Sequence, residues 1–427
     1  MEWSKYNFLF EDSNKFFLYN SLSNSFAELS KETFGFIRTN RNNIEILGKD
    51  KELFDNLSLM KAIVKSDKDE YDKIKFYALA ERFNNRRLDL TINPTLACNF
   101  ACPYCFEEDH RNIYMSENTE NEIIEFIKQY KSITNINVTW FGGEPLLAFS
   151  RIESLTKKII ELGINYKAGI ISNGYLLNKE IASNFESLHI NSIQITLDGL
   201  ADIHDSRRRL KSGGRTFDKI LSNIGILNEI SPQTKVLIRV NIDKTNMDDF
   251  VDLYKLIQSK QYHNTYISPA FVDDISQQNM NPCIFNQTDK AEFIKGLLIK
   301  YNLDFSLLYP SGSRHECAVR NPFSVVIGPE GELYKCWNDV GNKNRIYGYL
   351  NGTITNESVL LDYLMRADPF EDKKCRRCKF IPVCSGGCPY NRLAIMKNSS
   401  KETSCLIQKN YLKTFLSLHY NSKKSID

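Results

Sequence analysis

Three cysteines in a short loop, Cys98-Asn-Phe-Ala-Cys102-Pro-Tyr-Cys105, carry the most specific chemical signal in the chain. Thiolates at this C-x3-C-x2-C spacing can grip three irons of a four-iron cluster and leave the fourth iron without a protein ligand. An iron left open in this way can bind a substrate or cofactor. A structural zinc site would want a fourth Cys or His, and His110 is the nearby candidate. A second set follows far downstream: Cys317, Cys336 (five residues after Gly331), then Cys375-x2-Cys378-x5-Cys384-x3-Cys388, then Cys405. These thiols have no His among them, and all-thiolate ligation suits an iron–sulfur cluster or a zinc ribbon. Cys283 completes a total of 11. An odd number at short spacings, with no secretion signal, argues against a disulfide framework.

The elements that must position these residues change character along the chain. Residues 1–85 read as a small strand-plus-helices module. Phe8-Leu9-Phe10, the turn formers Glu11-Asp12-Ser13-Asn14 and Lys15–Asn20 make a β-hairpin. Ser30 stands where an N-cap belongs, with Glu32 in the first turn of a helix from Lys31. Further helices are predicted over 53–65 and 71–82. From residue 88 the pattern alternates: strands over 88–93, 137–141, 168–172, 192–197, 236–242 and 264–269, with helices over 117–130, 151–162, 179–188, 217–229, 248–259 and 289–300. Such βα units imply an α/β fold with a parallel sheet, open or closed into a partial barrel, and ligands at the C-terminal strand ends. After about residue 302 periodicity weakens, and Gly, turns and Cys dominate until a short apolar helix over 406–418. A stretch like that is held together by metal more than by a large core.

Composition narrows the class. Hydrophobic residues are 42% and charged residues 25% of 427, ordinary globular usage, which excludes a disordered or fibrous chain. A net charge of +3 gives no global reason to bind nucleic acid or an anionic membrane. No Lys/Arg stripe marks the helix through Phe34 and Ile37, which disfavours a DNA-binding head. The opening Met-Glu-Trp-Ser-Lys-Tyr-Asn lacks the basic-then-apolar pattern of a signal peptide. No apolar run approaches the ~18–20 residues of a membrane span. A soluble, cytoplasmic protein is expected.

The Cys98, Cys102, Cys105 loop, with the aromatic Tyr104 before its last Cys, resembles the signature of the radical S-adenosylmethionine (SAM) enzymes. The resemblance runs from about residue 88 to 272. Its second element is Gly142-Gly143-Glu144-Pro145, one βα unit later, and further matches sit at later strand ends: Ser172-Asn173, Thr196 and Arg208, the last chosen over Arg207. In the family such positions hold SAM, with Glu144 able to accept from an ammonium and the glycines allowing close backbone approach. Asp-Gly and Asn-Gly are also common turns, so Asp198 and Asn173 have a purely structural alternative. The resemblance implies a partial (β/α)6 barrel over 86–302. Its chemistry is reductive SAM cleavage to a 5′-deoxyadenosyl radical that takes a hydrogen atom from substrate.

The downstream cysteines resemble a SPASM domain, here 303–427, which appends two auxiliary [4Fe-4S] clusters and brings the total to three. By that pattern Cys317, Cys336 and Cys388 hold the first, and Cys375, Cys378, Cys384 and Cys405 the second. Some relatives place a fourth ligand to the first cluster just before the Cys317 position. Here that stretch, Leu-Tyr-Pro-Ser-Gly-Ser-Arg-His, has no Cys, so either Cys283 reaches in or an iron is open; Cys283 reads slightly better as incidental.

SPASM proteins mostly modify peptides. Sulfatase maturases use an Asp base directly after the Cys336 position, where this chain has Trp337, then Asn338 and Asp339. Maturases of ribosomally made peptides often carry a winged-helix leader-recognition domain, which residues 1–85 loosely resemble. The expectation is therefore a peptide maturase that forms a thioether or other side-chain cross-link. Its partners would be a precursor peptide with a leader and a flavodoxin- or ferredoxin-type electron donor. Formylglycine formation is the alternative.

Overall fold

The computed structural model describes residues 1–105, 111–272, 283–303, 307–310, 316–397 and 405–424. His110 and residues 311–315 of the stretch before Cys317 lie outside these. Three stretches were expected along the chain, 1–85, 86–302 and 303–427. Contacts gather the chain into two discontinuous compact units: Met1–Phe83 with Gln287–Arg320 and Met365–Asp427, and Asn84–Asn286 with Asn321–Leu364.

The second unit is built on six parallel strands, each beside its sequence neighbour: Arg87–Ile92, Asn135–Trp140, Asn165–Ser172, Ile190–Thr196, Lys235–Ile242 and Thr265–Phe271. Neighbouring order with helical crossovers is what a sheet curling toward a barrel requires. Burial alternates strictly along the first two strands, with Leu88, Leu90, Ile92, Ile136, Val138 and Trp140 inside. This period of two fixes the register, since a one-residue slip would turn every apolar side chain outward. The helices cover that apolar face. Glu117–Lys128 starts at a Ser116 cap that accepts from the Thr119 amide, and it buries Ile123, Phe126 and Ile127.

Two differences from the sequence pattern have local causes. The helix expected over 179–188 stops at Ser183, because Ser183 Oγ and Asn184 Nδ2 donate to the carbonyls of Lys179 and Glu180 and compete with the helical ladder. The sheet also continues past its first strand. Ser324–Ile327 adds parallel to Arg87–Ile92, and Glu332–Tyr334 and Gly348–Tyr349 follow antiparallel. Strands of four, three and two residues are too short to show a period.

In the first unit, Asn7–Asp12, Lys15–Asn20 and Ser25–Leu29 form an antiparallel sheet. Ser13 and Asn14, at φ 51° and 61°, make the two-residue turn whose twist suits a hairpin. Alternate residues of the middle strand enter two different cores. Leu18 meets Ile37, Leu47, Leu57 and Ile63 from the N-terminal helices. Phe17 and Tyr19 meet Phe380, Val383, Leu412 and Leu416 from the cysteine-rich tail. Each such aromatic contributes roughly 1.5–3 kcal/mol by burial, so this sheet is the shared floor of both segments.

A buried ion cluster joins them as well. Arg82, closing the helix Asp67–Arg82, donates through Nε and Nη2 to Glu316 at 2.8 and 3.0 Å and through Nη1 to Asp368 at 2.7 Å. Burial raises the Glu316 carboxyl and the arginine opposes that. Glu316 immediately precedes Cys317. Arg82→Ala leaves two buried carboxylates uncompensated and is expected to cost about 3–5 kcal/mol, measured by urea unfolding of the anaerobic protein.

Candidate functional site

The site begins where the first strand ends. The Asn93 side chain donates to Ile327 O at 2.8 Å, and Thr95 Oγ1 donates to Ile113 O while accepting from the Ala97 amide at 3.0 Å. These bonds set the backbone just before Cys98. The Gly142-Gly143-Glu144 turn, leaving the second strand, lies directly on it: Gly143 N donates to Thr95 O at 3.3 Å and Glu144 N to Ala97 O at 2.8 Å. A Cβ on Gly142, which has φ +117°, would stand 2.3 Å from Thr95 O, and one on Gly143 would stand 2.3 Å from Ala97 O. The glycines therefore admit the backbone of the cysteine loop itself, where the sequence suggested close approach to a ligand.

Glu144 is fully buried, and its carboxylate is engaged with the protein. It accepts from Leu146 N at 2.9 Å, Ser172 Oγ at 2.8 Å and Asn173 N at 2.7 Å. Burial pushes this carboxyl up and the three donors pull it back. Glu144 thus ties the second strand end to the third, and Pro145 begins the turn behind it. The Asn173 side chain donates to Asn99 Oδ1 at 2.8 Å, inside the cysteine loop. Three strand ends are stitched together around one depression.

That depression is a cavity of about 300 Å³. Cys98, Cys102, Cys105, Tyr104, Gly142, Gly143, Ser172, Asn173, Thr196 and Arg208 all line it; Glu144 and Pro145 do not. Burial pushes the Cys98 thiol up to about 12 against a hydrogen bond from the Phe100 amide, and raises Cys102 against the opposing Arg208 charge. These are the thiols as they stand without metal, and a bound cation inverts that preference. No disulfide joins any of the cysteines.

The neighbouring arginines have different fates. Arg207 pairs with Asp198 at 3.2 Å and Asp243 at 2.9 Å. Arg208 donates to Tyr104 Oη at 2.6 Å, and its Nε is buried with no partner. Arg208 lines the cavity and Arg207 does not. Tyr104 also donates to Asp198, whose amide donates to His204 Nδ1 at 3.2 Å. Burial and both arginines hold His204 well below its ordinary value, so it is a neutral acceptor there. Asp198 is thereby the internal anchor of the fourth strand end.

The lining also includes residues not carried over as site candidates: Gln194, Arg239, Asn241 and Phe271 on the strands, with Trp337 and Asn338 beyond them. Period two would have found several. Gln194 shares the face of Thr196, and Arg239 shares the face of Asn241. Trp337, 46% exposed, packs on Phe141 with ring centroids 5.7 Å apart. Asp339 is turned away from this role: it is buried and takes Arg345 Nε at 3.0 Å.

The first unit holds a second cavity of about 350 Å³, lined by Cys375, Cys378, Cys384 and Cys405. Arg392 Nη1 donates to Cys375 Sγ at 3.3 Å, Lys409 Nζ to Cys405 Sγ at 3.4 Å and the Phe380 amide to Cys378 Sγ at 3.4 Å. Cys388 and Cys317 are exposed in this unit, whereas Cys336 is buried in the other. Cys283 lines neither cavity; its carbonyl accepts from Lys244 N at 2.9 Å. Among the described residues no three His, Cys, Asp or Glu converge on a single metal-ion position.

Gly143→Ala forces its Cβ against Ala97 O and is expected to cost about 1–3 kcal/mol, with loss of SAM binding in equilibrium dialysis. The arginines should separate in the same assay. Arg208→Ala weakens SAM binding by the larger factor, while Arg207→Ala lowers the unfolding midpoint further because Asp198 and Asp243 lose their counter-charge.

The model of the radical SAM superfamily matches residues 92–257. The chain is 25% identical over 348 residues to the cysteine-type anaerobic sulfatase-maturating enzyme of Clostridium novyi, covering 74% of this chain and 92% of that one. It is 29% identical over 354 residues to the serine-type enzyme of Bacteroides thetaiotaomicron, covering 70% and 81%. In fold it is similar to native anSMEcpe with bound AdoMet and Cp18Cys peptide (TM-score 0.62, 18% identity, 80% of this chain and 99% of that one). It is also similar to Streptococcus suis SuiB bound to precursor peptide SuiA (TM-score 0.55, 16% identity, 95% and 99%). Residues 92–257 are a radical SAM domain, and the chain that carries it is an enzyme.

Proposed function

We propose that this enzyme is a peptide maturase that modifies side chains of a ribosomally made precursor, forming a thioether or other cross-link. The observation that carries the reading is the cavity where Cys98, Cys102 and Cys105 meet Ser172, Asn173, Thr196 and Arg208, opposite the exposed Trp337. The donor set fits a [4Fe-4S] cluster with one open iron beside SAM, and the buried, unpartnered Arg208 Nε fits an anionic group there. When bound, these groups supply a 5′-deoxyadenosyl radical that removes a hydrogen atom from a substrate carbon. The chain's own part is placement. Tyr104 and Asp198 hold Arg208 and the fourth strand end, Glu144 holds the third, and the apolar Phe141, Phe271 and Trp337 keep water from the reacting carbon.

The cavity of Cys375, Cys378, Cys384 and Cys405 supports an auxiliary four-iron site as electron acceptor, its sulfurs already met by N–H donors. For Cys317, Cys336 and Cys388 the family resemblance alone argues a further cluster. A flavodoxin- or ferredoxin-type protein is the reductant in this reading. A peptide substrate is supported by relatives named for sulfatase maturation and by SuiB bound to its precursor. The sulfatase-type relatives also favour a second reading, formylglycine formation. Against it, Trp337 stands where that branch has its base, and the Asp339 carboxylate is paired with Arg345.

The test is mass spectrometry of the anaerobically reconstituted protein with SAM, a reductant and any short peptide encoded beside its gene. A sulfatase-type Cys peptide runs in parallel. Loss of two hydrogens per cross-link on the neighbour peptide is expected. Formylglycine on the control peptide alone would overturn the reading. Cys102→Ala should abolish SAM cleavage, whereas Cys384→Ala should retain some cleavage without cross-link; equal loss of both would make the second cavity purely structural.

A further inference from the structure

The second cavity is set in a run of positive charge. Lys373-Lys374-Cys375-Arg376-Arg377-Cys378-Lys379 places cations on both sides of two of its cysteines. Lys373, Lys374, Arg376 and Arg377 are exposed, and Lys409, exposed on the helix Gln408–Lys424, lines the same cavity. Arg376 is held over the Tyr71 ring, 5.6 Å from its centre. Lys379, the last of the run, turns away and donates to Asn7 O at 3.1 Å.

Local carboxylates do not neutralise this collar. Asp372 is taken by Arg392 at 3.0 Å and by the amides of Lys374 and Cys375, and Glu371 pairs with Lys75 at 3.0 Å. Among the described residues no carboxylate pairs with Lys373, Lys374, Arg376, Arg377 or Lys409. Like charges gathered without a counter-charge repel one another, and a partner of opposite sign relieves that cost.

Inside the collar the surface is apolar and the sulfurs lie shallow. Met396 is 55% exposed, and it lines the cavity together with Ile395 and Leu406. Cys375, Cys378 and Cys405 are half-buried rather than sealed in. An apolar centre within a charged rim is the anatomy of a protein interface.

We infer that this face is the docking surface for a small acidic electron carrier, which the cations steer onto the cavity of Cys375, Cys378, Cys384 and Cys405. The inference rests on the maturase reading for the four-iron occupant of that cavity. Each encounter moves one electron: the carrier is oxidised by one and the four-iron site reduced by one, with no bond or proton involved. Such complexes are small and transient, and their charges act mainly on the rate of encounter.

The test pairs the full reconstituted chain with an acidic flavodoxin and, separately, an acidic ferredoxin. A zero-length carbodiimide, which joins carboxylates to lysines, maps the wild-type contact by mass spectrometry. Bonds to Lys373, Lys374 or Lys409 are expected; bonds confined to other lysines would overturn the inference. Stopped-flow absorbance then follows bleaching of the clusters by the reduced carrier. The rate should fall as salt rises, and the double variant Lys373→Glu, Arg377→Glu should lower it by about tenfold or more. The methyl viologen radical, a small cation, should reduce that variant no more slowly than the wild type, which a folding defect would not allow. Equal rates for variant and wild type with the carrier, or a wild-type rate indifferent to salt, would contradict the inference. So would failure of both carriers to reduce the wild type. Should the variant lose its clusters, the cross-link map of the wild type decides alone. The maturase reading is decided separately, by the mass of the neighbour peptide under a chemical reductant.

Discussion

The arrangement depends first on two loops touching backbone to backbone. Glu144 N reaches Ala97 O at 2.8 Å and Gly143 N reaches Thr95 O, an approach that leaves no room for a Cβ on either glycine. Each bond is worth only ~0.5–1.5 kcal/mol net. Their importance is positional, since they fix the backbone immediately before Cys98 against the end of the second strand. The Glu144 carboxylate then carries the same constraint to Ser172 and Asn173 on the third. A glutamate that looks like a ligand group in sequence is here the splice between strand ends, and the cysteine loop inherits its position from it.

Electrostatics divides labour in the same way. Arg207 is neutralised by Asp198 and Asp243, which makes it part of the frame. Arg208, one residue later, meets a phenol and keeps its charge toward the cavity. Buried charges are stable only when paired, or when a ligand completes them. The two arginines illustrate both cases within one turn of chain.

The parallel strands and most helices were legible because each carries a clear period, and some helices add a cap, as Ser30 and Ser116 do by accepting from the Thr33 and Thr119 amides. Cys98, Cys102 and Cys105 stood out by their spacing and Ser172, Asn173, Thr196 and Arg208 by the family resemblance, and all seven line one cavity. The roles of the two glycines and Glu144 were not, since a sequence does not say which backbone will fill the space a Cβ would take. Trp337 and Asn338 were invisible as lining for a similar reason. They reach the cavity from a stretch whose strands are too short to announce themselves. The weave of the first unit, where Phe17 and Tyr19 pack on the cysteine-rich tail, also came only from the folded chain. It means the N-terminal segment cannot be deleted without uncovering the core beside the second cavity.

The most direct measurement of the central claim is the electron paramagnetic resonance spectrum of the reduced, reconstituted protein with and without SAM. The comparison is a variant in which Cys98, Cys102 and Cys105 are all alanine. If the first cavity is the SAM site, SAM reshapes the wild-type signal, and the triple variant keeps only signals that ignore SAM. A SAM-dependent change that survives in the triple variant would place the cofactor elsewhere and contradict the account.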